Sequence, residues 1–294
     1  MGYQFHHMSS KTVTIILTIL LLAVIPVYWL RLAYTNIPIR DGLYLSSVVI
    51  AVIAGSFAIY KYGVKHSRRL TLFALTAAVA SSLISEIIFE YHYVIDKHNI
   101  PFPSIADFFS LFFYVFFLIA LINEIRLAKV DWKHFKKRLL IIPIIISIIL
   151  IGVVSYFGVY KAYDSTVDLF TNIVAMAYGV GDLLLIITSI FLVILVREYR
   201  GGRFAKIWLI LLTGFVFFLA ADITWSFYPN QYHDEVWFYK SLLDTLWMIG
   251  YLCFAQTLFQ FGFSIADAYK MASIDTSNNA KPLTLNDTST PKES

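Results

Sequence analysis

Apolar runs long enough to cross a bilayer, which needs about 20 residues, recur along this chain and are separated by short polar or basic stretches. Eight such runs are predicted as helices, at roughly 12–32, 42–63, 70–94, 104–125, 138–160, 168–196, 205–228 and 237–262. The clearest helix start is Pro101 to Tyr114, PFPSIADFFSLFFY. There Pro103 suits the first turn, Ser104 can cap free backbone donors, and Asp107 favours the positive end of the helix dipole. Gly179-Val180-Gly181-Asp182 and Ser241-Leu242-Leu243-Asp244 lead into apolar runs in the same way. Three acids are therefore expected near the heads of three helices. The predicted fold is all-α and polytopic.

Composition agrees with the pattern. A chain of 294 residues that is 59 % hydrophobic, 17 % aromatic and 14 % charged is too apolar for a soluble domain. Thr12 to Leu32 reads as a retained helix, since no small-x-small cleavage site stands near it. The single cysteine, Cys253, excludes an internal disulfide and any CxxC motif.

Charge sets an expected orientation. The loops after spans two, four and six carry fourteen Lys and Arg residues, and the alternate loops carry five: Arg31, Arg40, Lys97, Lys161 and Lys240. Basic loops stay on the cytoplasmic side, so both termini are expected there, in the cell membrane. The net charge of +4 is accounted for by this asymmetry and needs no nucleic-acid partner. Four parts are expected: a cytoplasmic segment 1–11, an N-terminal helix pair 12–66, a six-helix domain 67–263 and a polar cytoplasmic tail 264–294. Ser264 to Lys270 can prolong the last helix, and Ser273 to Ser294 has a disordered composition.

The six-helix part contains an apparent repeat. Glu86 precedes Asp107 by 21 residues and Asp222 precedes Asp244 by 22; Tyr114 and Tyr251 each follow their Asp by seven. Seven residues make nearly two helical turns, so each Asp and Tyr share a face. Spans five and six keep Asp182 and place Ser189 at the Tyr position. Three hairpins of one kind are expected, beside a distinct N-terminal pair.

Under that topology Glu86, Glu90, Asp107, Asp182, Asp222 and Asp244 all fall in the outer half of the membrane, and no Lys or Arg is expected beside them. Acids in such a place call for a carboxyl that keeps its proton or for a cationic ligand, metal ions included. Each Asp could merely cap its own helix; as a group they predict one outward-facing cavity, with Tyr114 and Tyr251 as its floor. His92, two residues after Glu90, is a further candidate, although that spacing is poor for shared metal ligation on a helix. No HExxH, GxSxG, P-loop or GxGxxG motif occurs, so neither a metal nor a catalytic site is assigned, and the cofactor is left unknown.

PFPSIADFFSLFFY, AYGVGDLLLI and GFVFFLAADITWSFY…LLDTLWMIGYLCFA resemble three segments of the membrane-integral input region found ahead of diguanylate cyclase, phosphodiesterase and histidine kinase modules. They occur in order across 70–260, with Tyr114-Val115 in place of Tyr-Pro and Gly179 in place of a Pro. The resemblance implies a sensor-like domain, here standing alone, that binds a small ligand and signals through a cytoplasmic partner. GFVFFLAAD and YLCFAQTL also resemble segments of lysoplasmalogenase-type membrane hydrolases, with Ala221 where those have Ser. That second resemblance implies lysophospholipid hydrolysis, with Asp222 and Glu86 as an acid/base pair.

Overall fold

The computed structural model describes residues 10–29, 37–62, 67–95, 101–130, 136–161, 163–200, 202–234 and 236–279. The expectations for 1–9, for Arg31 and Lys97 and for 280–294 lie outside the described residues. Among those described, every regular element is helical: α1 (Ser10–Trp29), α2 (Ile37–Tyr62), α3 (Arg69–Ile95), α4 (Ile105–Ala128), α5 (Ile141–Val154), α6 (Leu169–Arg200), α7 (Gly202–Phe227), the short α8 (Pro229–His233) and α9 (Trp237–Asn279). A 3₁₀ turn, Lys137–Leu140, leads into α5, and a π-helical segment, Ser155–Tyr160, extends it. Seven helices, all but α1 and α8, are long and apolar enough to cross a membrane, counting α5 with these extensions. In α1 the apolar stretch is shorter, Thr12–Val27.

Local chemistry sets the ends of α4. Ser104 Oγ accepts from the Ala106 N–H at 3.2 Å, and Asp107 accepts from the Ser104 N–H at 2.7 Å, closing a capping box. At the other end Lys129 turns left-handed (φ 48°) and its N–H reaches the Arg126 carbonyl at 3.3 Å. The last helix is longer than composition predicts, running through Ser273 to Asn279. Once the span has nucleated a helix, the Ala- and Lys-containing stretch after Ser264 propagates it at little cost.

Six helices close a ring. Each packs on the next in the order α3, α4, α6, α7, α9, α2 and back to α3, with α1 outside against α9 and α5 outside against α6. So α2 is a full member of the ring, while α5, expected to pair with α6 as a central hairpin, lies on its periphery. The sequence explains both placements. The inner face of α2 carries Val48, Ala51, Ala54 and Ala58, all fully buried, and small residues let backbones approach where lipid supplies no hydrophobic drive. In contrast α5 is more than half isoleucine, with Ile141, Ile142, Ile145, Ile148 and Ile149 exposed to the surroundings. Phe113, Phe117, Phe215, Phe218 and Phe254 fill the middle of the ring, with Phe113 stacked on Phe218 at 5.3 Å.

A candidate ligand cavity at the acidic end

Antiparallel packing brings the first turns of α2, α4 and α9 to the same end as the last turns of α3 and α7. There a cavity of about 260 Å³ opens, at the end opposite the basic loops. Glu86, Glu90, Asp107, Asp182, Asp222, Asp244, Tyr114 and Tyr251 all line it; His92 does not, and stands near the end of α3 with its ring edge on Tyr91 at 5.8 Å.

The acids are held in different ways. Asp107 is a cap: it accepts from the Ser104 N–H, the Ser104 hydroxyl at 2.9 Å and the Tyr178 hydroxyl at 2.7 Å. Glu86 accepts from Tyr44 at 2.8 Å and from Tyr251 at 2.9 Å, and the Tyr251 hydroxyl also meets Ser82. Asp222 accepts from Tyr114 at 3.2 Å and from the Trp247 indole at 2.9 Å. Thus the two tyrosines do bond to acids, but to those of a different hairpin rather than to the Asp on their own helix face.

Asp244 has a cation. Lys240, one turn earlier on α9 and only 8 % exposed, lies 3.6 Å from it, donates to the Tyr232 hydroxyl at 2.6 Å and sits 3.9 Å over the Tyr232 ring. Tyr232 in turn donates to Asp244 at 2.9 Å, and burial followed by the Asp244 charge keeps its phenol well above the ordinary range. Arg40, 1 % exposed, pairs with Asp41 at 2.9 Å and reaches Tyr93 at 3.4 Å. The expectation that no Lys or Arg stands beside the acids is therefore corrected. Both cations were assigned to loops in the charge asymmetry, whereas each begins a helix that carries it inward. The i,i+4 spacing of Lys240 and Asp244, and the adjacency of Arg40 and Asp41, were signals available in the sequence. Tyr44, Tyr178 and Tyr232 left a weaker trace, each being one aromatic among many.

Asp182 is the exception. It is 1 % exposed, it faces Asp222 and Tyr114, and neither carboxyl oxygen has a hydrogen-bond partner of good geometry. The Tyr114 hydroxyl donates to Asp222 at 3.2 Å. Nor are Asp182 and Asp244 helix caps: α6 begins at Leu169 and α9 at Trp237, two turns or more before them. Of the three helix-head acids, only Asp107 fits that description. Gly181, beside Asp182, makes room for the Tyr114 ring, whose nearest atom would lie 2.5 Å from an added Cβ.

Among the described residues no group of three or more His, Cys, Asp or Glu side chains is arranged to hold a metal ion. No family model, curated protein or solved structure matches this chain.

Proposed function

We propose that this is a receptor-like integral membrane protein whose acidic cavity faces outward, binds a small cationic or polar ligand and relays occupancy to a cytoplasmic partner. The observation that carries the reading is the convergence of seven carboxyl side chains from six helices on one cavity whose most deeply buried acid, Asp182, has no hydrogen-bond partner of good geometry. Leaving a buried acceptor unmatched is costly, so the arrangement is kept for something that the cavity receives. The basic loops at the opposite end support the outward orientation and cytoplasmic termini. The three segments that resemble membrane input regions supply most of the lining: Pro101 to Tyr114, Tyr178 to Asp182, and Phe218 to Tyr251.

The test is a thermal-shift panel of small cations, neutral polar molecules and lysophospholipids on the full chain in detergent. Stabilisation by a small cation or polar compound, lost in Asp182→Asn, supports the reading. Because Asp222 and Glu86 line one cavity, the hydrolase reading is tested in the same panel. Acid or aldehyde release from a lysophospholipid, abolished by Asp222→Asn, replaces the receptor with the enzyme.

A further inference from the structure

The cavity is electrostatically unequal from side to side. On the side of α2, α3, α8 and α9, Lys240 and Arg40 stand among Asp41, Asp244, Glu86 and Glu90, and tyrosine hydroxyls donate to Glu86 and Asp244. On the side of α4, α6 and α7, Asp107 is satisfied by its capping box and Tyr178, which leaves Asp182 against Asp222 with no Lys or Arg side chain among the cavity-lining residues of those three helices.

From this asymmetry we infer that the recognised ligand is an organic monoamine with an apolar body, its ammonium seated between Asp182 and Asp222. This deepens the cavity reading above and rests on it. Several observations select that chemistry. An ammonium has three donors and no acceptor, which matches two Asp182 oxygens that hold no well-formed hydrogen bond and an edge of Asp222 shared with Tyr114 and Trp247. A metal ion needs more oxygen ligands than this pair offers, and the described residues hold no third acid, His or Cys in place for it. An anion would meet two carboxyls. Beside the pair lie Phe113, Phe218, Leu219 and Trp247, an apolar wall with aromatic faces suited to an alkyl or aryl body and to cation–π contact. The volume, about 260 Å³, falls just below the ~300–1,000 Å³ of sites for drug-sized molecules, so the occupant is small.

The experiment uses the full chain in detergent and three probes: phenethylamine, its neutral counterpart 2-phenylethanol, and magnesium chloride. Isothermal titration and thermal shift are expected to register phenethylamine and neither of the others. Asp182→Asn and Asp222→Asn are each expected to weaken phenethylamine binding about tenfold or more, the scale of one charge-assisted bond. Binding of phenethylamine and 2-phenylethanol with equal affinity by the wild-type protein overturns the ammonium seat, without reliance on any variant. Stabilisation by magnesium alone overturns the amine and leaves an acidic-cavity receptor standing. Loss of amine binding in Asp244→Asn but not in Asp182→Asn moves the seat to the other side and overturns this assignment only. If no small cation or polar compound binds, the cavity reading falls as well.

Discussion

The Tyr251 hydroxyl on α9 donates to Glu86 on α3 at 2.9 Å, and Tyr114 on α4 donates to Asp222 on α7 at 3.2 Å. In the spacing of the apparent repeat, Tyr251 corresponds to Tyr114 and Glu86 to Asp222, so the two bonds are reciprocal. The ring order agrees: rotating it by half a turn carries α3, α4 and α6 onto α7, α9 and α2.

Removing one of the reciprocal bonds should cost about 0.5–1.5 kcal/mol or somewhat more, since it leaves a buried acceptor with one donor fewer. Tyr251→Phe and Glu86→Gln, singly and together, give a double-mutant cycle read by denaturant unfolding in micelles. The expected coupling is well above the ~0.3–0.5 kcal/mol seen between independent sites. A coupling at or below that level would show that the pair does not interact in the folded protein.

Glycine substitutions should divide by position. An added Cβ at Gly181 meets the Tyr114 ring at 2.5 Å, and a ring wedged among Tyr178, Phe113 and Asp222 cannot swing clear. Gly181→Ala is expected to destabilise by about 1–3 kcal/mol. At Gly42 an added Cβ finds no heavy atom within 4 Å, so Gly42→Ala in α2 should be neutral or stabilising by up to about 1 kcal/mol. Melting temperatures of the two variants, measured side by side, check the contrast.

At the basic end Arg68 and Glu124 form a buried pair at 2.8 Å, with Thr71 donating to Glu124 at 3.3 Å. Breaking such a pair from one side strands a charge, so Glu124→Ala should destabilise by about 3–5 kcal/mol. Replacing both partners by apolar residues of similar size should recover a large part of that loss. Unfolding titrations of the single and double variants decide the point.

Acid should loosen the start of α6 before it loosens the bundle. The Thr166 hydroxyl and amide hold Asp164 below the usual carboxylate range, and Thr171 does the same for Asp168. A depressed carboxyl stabilises the folded form above its ordinary pKa, near 3.9, and that contribution disappears as pH falls through the lower folded value. Hydrogen exchange at the Thr166 and Thr171 amides, corrected for intrinsic rate, should lose protection between about pH 4 and pH 2. Protection unchanged over that range would reject the caps.

The polytopic helical fold was legible in the sequence because its cause is local: long apolar runs have one solution in lipid. The acids that share the cavity were legible too, since Glu86, Asp107, Asp222 and Asp244 repeat at nearly equal spacing. What spacing does not encode is which helix stands beside which. The exchange of α5 for α2 in the ring depends on small residues at 51, 54 and 58 meeting α3 and α9, a three-dimensional fact. Arg40 and Lys240 were missed for a related reason. A charge at a span boundary reads as a loop residue until the neighbouring helices show that it is enclosed.

Ring closure also bears on how the protein is made. Among the ring's helices α9 is the last in chain order, yet it supplies Trp247 to Asp222, Tyr251 to Glu86 and the Lys240–Asp244 pair. Before it is in place, Asp222 has Tyr114 and Glu86 has Tyr44, and α9 brings each its second donor. The polar groups that later define the cavity thus act first as a docking code. They reward the arrival of α9 between α7 and α2.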